Sequence, residues 1–558
     1  MKAIFIEQTS QPTPAWNQIE WEQVERTVRR LQERIYRATE RQAWRTVRSL
    51  QTLLARATAN KLLAIRRVTQ ENQGKHTPGI DGQVCLTAEE RSALARKSFS
   101  FAGYQPQPVR RVYIPKSDGK KLRPLGIPTI QDRVYQAIVK TALEPEWEAR
   151  FEANSYGFRP GRCCMDAIVQ LHTTLSHKGS SEWILDADIS GCFDHIAHAP
   201  LLARIPVFKT VVQRWLTAGV VELGHYQATA EGTPQGGVIS PLLANIALDG
   251  MERLFHCDSC SGRLLMPSVR PGLDRGVSLV RYADDFVVTA PSREVLEEYV
   301  RPKLEQFLGE RGLTLSEAKT RIVHINEGFN FLGFTIRRFG DKVLTLPQKE
   351  KVQAHARRLK AIVVEHQSDT QETLIRRLNP LIQGWCNYYR HAASSRTYHK
   401  VNSQLWWMLW HWAKRRHPNK PGRWLADRYW KTVENRKWVF SGSEITLRNP
   451  TDTKISRWVK VCGRSSPFDS TLRDYWANRS RKAIVTQTQS RQKLAILQAQ
   501  NYECGYCGVK LQPDDTIDLH HRVPRAEGGT NTMDNLMALH EHCHHQLHAR
   551  RGTTVLKA

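Results

Sequence analysis

Arg281-Tyr282-Ala283-Asp284-Asp285-Phe286-Val287-Val288 sets two adjacent carboxylates between apolar, largely β-branched residues. Such a run predicts a tight hairpin that holds Asp284 and Asp285 at its turn while the flanking residues pack on either side. Adjacent acids repel, so the turn makes most sense when a divalent cation neutralises it. Upstream, Trp183-Ile184-Leu185-Asp186-Ala187-Asp188-Ile189-Ser190-Gly191-Cys192-Phe193-Asp194 is a second strand-like run ending in acids. Two acid-tipped strands meet the requirement of a two-metal phosphoryl-transfer site, in which oxygen ligands hold Mg²⁺ and the metal pair stabilises the attacking and leaving oxygens. A lone Asp-Asp pair is better read as a solvated turn. The ordered motifs around this one overturn that reading.

The chain, 558 residues long, exceeds what one core can organise, and three to five domains are expected. A net charge of +28, from 82 Lys+Arg against 54 Asp+Glu, calls for a polyanionic partner, with nucleic acid ahead of a membrane surface. Met1-Lys2 leads only a brief apolar stretch, which does not read as a signal peptide. The apolar run Leu405 to Trp410 is too short to span a bilayer, so no membrane partner is expected. Eleven scattered cysteines suit a reducing compartment, and the expected location is the cytoplasm.

Residues 1–72 read as a helical extension, with Val24, Val28, Leu31 and Ile35 at helical spacing. Gly74 to Gly82 breaks it with turn residues. Residues 73–340 alternate short apolar runs with helix-like stretches such as Gln131 to Phe151, an α+β pattern. Residues 341–417 turn mainly helical, 418–490 are basic, Trp-rich and irregular, and 491–558 carry metal-ligand spacing.

Between the acidic runs lies Gly232-Thr233-Pro234-Gln235-Gly236-Gly237, a polar glycine turn leading into an apolar helix. There the backbone and Gln235 could approach a flat ligand. Ile114 to Pro124 (IPKSDGKKLRP) reads as a hairpin presenting Lys116 and Arg123 to a triphosphate. Each alone is weak, since a basic hairpin is usually a solvated surface. In order, RPLGIPTIQDRVYQ, YGFRPGR, DADISGCFDHI, GTPQGGVISPLLANIAL, RYADDFVV, GLTLSEAKT, FNFLGF and LNPLIQGWCNYYRH closely resemble the reverse transcriptases encoded by group II introns. The resemblance runs over nearly the whole chain.

It implies an α+β multidomain fold, a right-hand polymerase with fingers and palm over 73–340 and a helical thumb over 341–417. That thumb resembles domain X, which also serves maturase activity. By the same resemblance Asp188 and Asp284 are the main Mg²⁺ ligands of a two-ion site, with Asp285 beside them and Ile189 lending its carbonyl. Lys116 and Arg123 hold the deoxynucleoside triphosphate, and Gln235 lines the nucleotide and template. Phe193 walls off the sugar 2′ position. Lys319 is either a proton donor to pyrophosphate or a surface lysine. Most aromatics of the helical region, Trp406, Trp407 and Trp410 included, read as core. The segment from Lys414 to Lys437 suits a nucleic-acid backbone, and 418–490 is expected to bind DNA.

Near the C-terminus, Cys504-x2-Cys507 pairs with His540-x2-Cys543, four ligands suited to a structural, tetrahedral Zn²⁺ that staples a segment too small to hold itself. The remaining His520, His521, Asn535, His544 and His548 resemble the HNH, or ββα-metal, nuclease fold. There His521 is the general base, and His520, His544 and His548 hold a catalytic divalent ion, Mg²⁺ being expected. Asn535 orients the loop carrying the base. A second structural zinc site is the alternative. The family usually uses two Cys-x2-Cys pairs for zinc, and here His540 replaces a cysteine. Cys257-x2-Cys260 has no second pair nearby and reads as a loop feature rather than a metal site.

The functional expectation is an RNA-directed DNA polymerase, intron-splicing maturase and HNH endonuclease in one chain. It acts with its intron RNA on target DNA, as a ribonucleoprotein that joins the nucleoid when bound to DNA, with a homodimer as one arrangement. The competing readings are a splicing factor whose enzymatic domains are relics, and a retron- or CRISPR-associated reverse transcriptase.

Overall fold

The computed structural model describes residues 15–115, 122–177, 179–256, 276–488 and 490–555. Lys116 and the Cys257/Cys260 pair lie outside them. The fold is mixed α/β and is organised on a four-stranded antiparallel sheet in the order Ser278–Tyr282, Asp285–Ala290, Trp183–Asp188, Arg321–His324. Both faces of this sheet are covered. Leu185, Phe286 and Val288 belong to one hydrophobic core and Ile184, Val280 and Val287 to the other. Burial on both sides explains why the strands read as continuous apolar runs rather than alternating ones.

The first core continues into the N-terminal helices Trp21–Glu40, Trp44–Arg56 and Thr58–Arg66, which pack on the long helix Ile130–Arg150. Val28 and Ile35 are buried in it, and Val24 and Leu31 lie against it half-buried. Polar residues fix the docking: Asn60 Nδ2 donates to the Ile138 carbonyl and Gln32 Nε2 to that of Thr141. A second sheet runs Leu122–Ile127, Val109–Pro115, Val220–Glu222, His225–Gln227, so the Arg123 hairpin is anchored on a parallel neighbour.

The second core is helical. Lys349–Glu365, Gln371–Tyr389 and Ser395–Arg416 pack together next to a three-stranded sheet of Phe329–Phe331, Phe334–Phe339 and Lys342–Pro347. The aromatic expectation needs correcting here. Trp406 and Trp410 are half-buried, but Trp407 is 55% exposed. Sequence periodicity places it beside Trp406, yet on a helix neighbours point about 100° apart. The basic stretch after residue 417 is also less irregular than its composition suggests. It folds a helix, Gly422–Tyr429, a hairpin of Trp430–Val433 and Arg436–Phe440, and the helix Arg473–Gln487. Among the described residues no helix is long and apolar enough to cross a membrane.

Asp166 ties this later segment to the sheet. Its fully buried carboxylate accepts from Trp458 Nε1 (2.9 Å), Val461 N (2.9 Å), Arg479 Nη2 (2.7 Å) and Cys163 N (2.9 Å). A buried carboxylate is tolerable only when its lone pairs are this fully occupied. Replacing Asp166 with Ala strands Arg479 and should cost about 3 kcal/mol. Hydrogen exchange should then rise across residues 458–479, and unchanged protection there would contradict the assignment.

Candidate functional site

Asp188 and Asp285 are direct partners in the register of the central sheet, and Tyr282 pairs with Asp285 across the hairpin. The two-residue turn Ala283-Asp284 therefore holds Asp284 at the tip. Ala283 takes φ +58°, the positive value that such a hairpin demands of its first turn residue. The strain is supported from beneath. Arg281, 1% exposed, donates from Nη1 to the Ala283 carbonyl and to Asn245 Oδ1, both at 3.0 Å. Asn245 in turn donates to the Gly157 carbonyl at 2.8 Å.

Gly157 is seated directly on the turn, where a Cβ would fall 2.3 Å from the Ala283 nitrogen. Its loop is held by Arg159, whose guanidinium is paired bidentately with buried Glu148 (2.9 and 3.0 Å) and donates to the carbonyls of Glu152 and Ser155. The motifs YGFRPGR, RYADD and SPLLAN thus meet as one support under the acids. Arg281 and Asn245 both stand in these motifs, but their supporting role was not legible in the sequence, because the two meet across 36 residues of chain.

The carboxylates pay for their crowding in basicity. Burial, then Asp284 and Asp188, push the Asp285 carboxyl up to about 7, although its strand end is open to solvent. Burial also raises Asp284, against its own backbone N–H, Lys319 and Arg123. Asp186, two residues before Asp188, is raised to about 6 by burial. Lys319 is exposed and ion-paired with Asp188, which raises the lysine in turn. A cavity of about 340 Å³ opens here, lined by Asp186, Asp188, Asp285, Lys319, Arg321 and Leu332.

Ile189 bridges Leu315 through bonds that use the Asp188 carbonyl and the Ser190 N–H, and neither bond engages the Ile189 carbonyl. Phe193 stands edge-on to Phe158 at 6.3 Å, and its carbonyl accepts from Thr233 N at the glycine turn. The Gln235 carbonyl accepts from Gly126 N, joining that turn to the exposed Arg123 strand.

The C-terminal region builds two ligand clusters from one strand pair, the helix after it and the turn that carries Cys504 and Cys507. The strands Ile517–His521 and Leu536–His540 pair antiparallel, and the helix Glu541–Val555 follows at once. Cys504, Cys507, His540 and Cys543 bring their ligand atoms within 4.8 Å of one another. His540 Nδ1 faces the sulfurs of Cys507 (3.5 Å) and Cys543 (3.8 Å), while Nε2 lies 3.3 Å from the Asp515 carboxylate. Hydrogen bonds from Cys507 and Cys543 hold the Cys504 thiol well below its ordinary value, and the thiolate is the form a zinc ion takes. Three sulfurs and one imidazole nitrogen fit a closed tetrahedral site.

His520, His544 and His548 form the other cluster, again within 4.8 Å, with His544 and His548 one helical turn apart. His544 Nδ1 is 2.9 Å from the Asp518 carboxylate, which leaves Nε2 turned to His548 Nε2 at 3.0 Å. The Asp518 carboxylate behind His544, like Asp515 behind His540, sets the ring as metal-ligating histidines require. Three nitrogens without a sulfur make an open set, unlike the structural site alternative.

His521 points elsewhere: its Nε2 is 2.8 Å from Asn531 Oδ1, an oxygen that also accepts from Arg525 Nη2. Asn535 staples the intervening loop, accepting from Val523 N and donating to the carbonyls of Val523 and Thr530. Gly529 permits that staple, since a Cβ would lie 1.9 Å from the Val523 carbonyl oxygen. Asp518 was visible beside the histidines in the sequence. Asp515 and Asn531 carried no signal.

Residues 114–336 match the family described as reverse transcriptase (RNA-dependent DNA polymerase), and residues 16–97 match the N-terminal domain of reverse transcriptase. Residues 352–430 match the group II intron, maturase-specific domain, and residues 504–550 the HNH endonuclease. Protein YkfC of Escherichia coli (strain K12) is 37% identical over 332 residues, 53% of this chain and 87% of that protein. The group II intron-encoded protein LtrA of Lactococcus lactis subsp. cremoris is 33% identical over 320 residues, 48% of this chain and about half (53%) of its own length. Maturase-like protein 1 of Euglena gracilis is 26% identical over 385 residues, 67% of this chain and 77% of that protein.

Because Asp285 is ionised only at a cost in the folded protein, Asp285→Asn should stabilise it in magnesium-free buffer. The sign follows from a folded pKa raised above the unfolded value of about 3.9. The gain is absent near pH 4, grows through pH 7 and is level above. Solvent at the open strand end limits it to the order of 1 kcal/mol. Thermal unfolding across that range checks this, and a gain independent of pH would contradict the electrostatic cause.

Proposed function

Because the chain belongs to the reverse transcriptase family of group II intron-encoded proteins, we propose that it copies RNA into DNA, assists splicing of its intron and cuts DNA to supply the primer. The observation that carries the polymerase reading is the meeting of Asp188, Asp284 and Asp285 at paired strand ends above a buried Arg281 support. In this reading the central sheet is the palm and the Arg123 hairpin belongs to the fingers within 73–340. The N-terminal extension spans 1–72, the thumb and maturase region 341–417, the DNA-binding segment 418–490 and the endonuclease 491–558.

Asp188 and Asp284, with the Ile189 carbonyl and Asp285 beside them, hold two Mg²⁺ ions. Bound there, the ions would supply positive charge for attack of a primer 3′-oxygen on an α-phosphate and for departure of pyrophosphate. The chain's own part is orientation. Arg123 and Lys116 grip the triphosphate, Gln235 and its glycine turn line the nucleotide, and Phe193 crowds a 2′-hydroxyl out. Lys319 begins on Asp188, so acting as a proton donor to pyrophosphate would require it to leave that ion pair.

In the HNH region His520, His544 and His548 would hold a divalent ion, and Cys504, Cys507, His540 and Cys543 would hold zinc, the ligand atoms of each set lying within 4.8 Å of one another. His521 takes the proton of the attacking water, and Asn535 keeps its loop in place. The nick leaves a 3′-hydroxyl for the polymerase. Target DNA, the intron RNA and deoxynucleoside triphosphates are the partners, in a cytoplasmic ribonucleoprotein.

The helix Ser395–Arg416 gives these polyanions a landing surface. It contains no Asp or Glu, and Arg396, Lys400, Lys414 and Arg415 are exposed around exposed Trp407. Trp438, 54% exposed on the neighbouring hairpin, is held at φ +62°, a strained value for a bulky residue. Cations flanking exposed rings suit backbone contact with base stacking.

Three outcomes test the proposal. Asp284→Ala should abolish primer extension while intron splicing and DNA nicking persist; residual synthesis near wild-type rate would sink the polymerase assignment. His521→Ala should end nicking with the zinc content unchanged, and loss of zinc would favour a purely structural module. Trp407→Ala should weaken RNA binding by about 1–3 kcal/mol in a filter assay. Undiminished affinity would remove this face from the interface.

A further inference from the structure

Arg66 ends the helix Thr58–Arg66 and is only 2% exposed, yet its guanidinium is not used by the N-terminal helices alone. Its Nε pairs with Glu71 Oε1 at 3.0 Å, and its face lies 4.5 Å from the centre of the Trp21 ring. Its Nη2 crosses to the HNH region, 2.8 Å from His542 Nε2, 3.5 Å from Cys507 Sγ and 3.8 Å from Cys543 Sγ. One turn further along, Gln70 Nε2 donates to Gln546 Oε1 at 3.2 Å, and Gln546 donates to Asn17. The four-ligand cluster is therefore seated against the N-terminal helices through a buried cation.

Charge explains why the residue is an arginine. Three thiolates and a neutral imidazole around Zn²⁺ sum to −1, and a buried anion of that kind is tolerable only beside a counter-charge with N–H donors. Arginine supplies both, and its planar fork can reach two sulfurs and a ring nitrogen while the far edge keeps Glu71. Outer donors of this sort tune how firmly a site holds its metal.

We propose that Arg66 is the counter-ion of the zinc cluster, and that the loaded cluster together with Arg66 is the latch that docks the HNH module on the N-terminal helices. This rests on reading Cys504, Cys507, His540 and Cys543 as zinc ligands. Loss of the metal removes both the charge and the shape that Arg66 engages, so zinc occupancy sets how rigidly the nuclease region is held to the polymerase body. Arg66 is a positioning residue: it touches neither substrate nor the His520 cluster.

The test uses the full chain. Zinc transfer to a chromogenic chelator should be about tenfold or more faster from Arg66→Met than from wild type, with Arg66→Lys between them because it keeps the charge and loses the fork. In wild-type protein, zinc extraction should raise hydrogen exchange together over residues 60–71 and 541–548, while strand Trp183–Asp188 stays protected. Release from Arg66→Met at the wild-type rate, or exchange over 60–71 indifferent to zinc, would overturn the latch. The wild-type extraction decides the matter alone if Arg66→Met does not fold. Purified wild-type protein that carries no zinc would overturn the zinc reading itself, which separates the two failures.

Discussion

Mutual repulsion of Asp188, Asp284 and Asp285 is the constraint around which the centre of this protein is built. Two of the three are opposed across a strand pair and the third caps the turn, so the sheet cannot relax them apart. Beyond the ion pair of Lys319 with Asp188, the fold answers with rigidity. Arg281 holds the strained Ala283 peptide, Asn245 holds Arg281 and the Gly157 loop, and Arg159 locks that loop to Glu148. Two packed cores then close on the sheet from either side. What remains is a preformed acidic corner whose unfavourable charge is relieved by cations, which is the arrangement a phosphoryl-transfer site needs before its substrate arrives.

The C-terminal clusters solve a different problem. Their ligands include neutral imidazoles, which attract a cation weakly unless ring and tautomer are set. Asp515 behind His540 and Asp518 behind His544 set them. Here the acids stand one bond back from the ligand position, whereas in the proposed polymerase site they would themselves be the ligands. The same residue type thus serves as donor in one site and as aligner in the other, and geometry alone distinguishes the roles.

Much of both sites could be read from local pattern. Adjacent acids between apolar runs, a glycine turn before an apolar helix, and cysteine and histidine pairs at short spacing are local signals, and local signals survive in a linear string. The four residues of the cysteine-histidine set come together as their spacing suggested, and the three of the histidine set as the HNH resemblance implied. What could not be read depends on contacts between distant segments. Arg66 meets Cys507 across 441 positions, and Arg479 meets Asp166 across 313. Nor does helical spacing say which of two neighbouring tryptophans faces water. Trp407 is decided by what packs beside its helix, and nothing in its own neighbourhood carries that information.

Those long separations have a consequence for how the protein comes into being. Gln70 and Gln546 bond across 476 positions, and Arg473 returns to Glu33 across 440. At about 5–20 residues per second of synthesis, the N-terminal helices wait roughly 20–100 s for partners that do not yet exist. Through that interval the apolar face around Val28 and Ile35 is covered by the early-made helices Trp44–Arg56, Thr58–Arg66 and Ile130–Arg150 alone. The N-terminal helices are thus made long before the segments that complete their packing, and the pace of synthesis sets how long those contacts stay open.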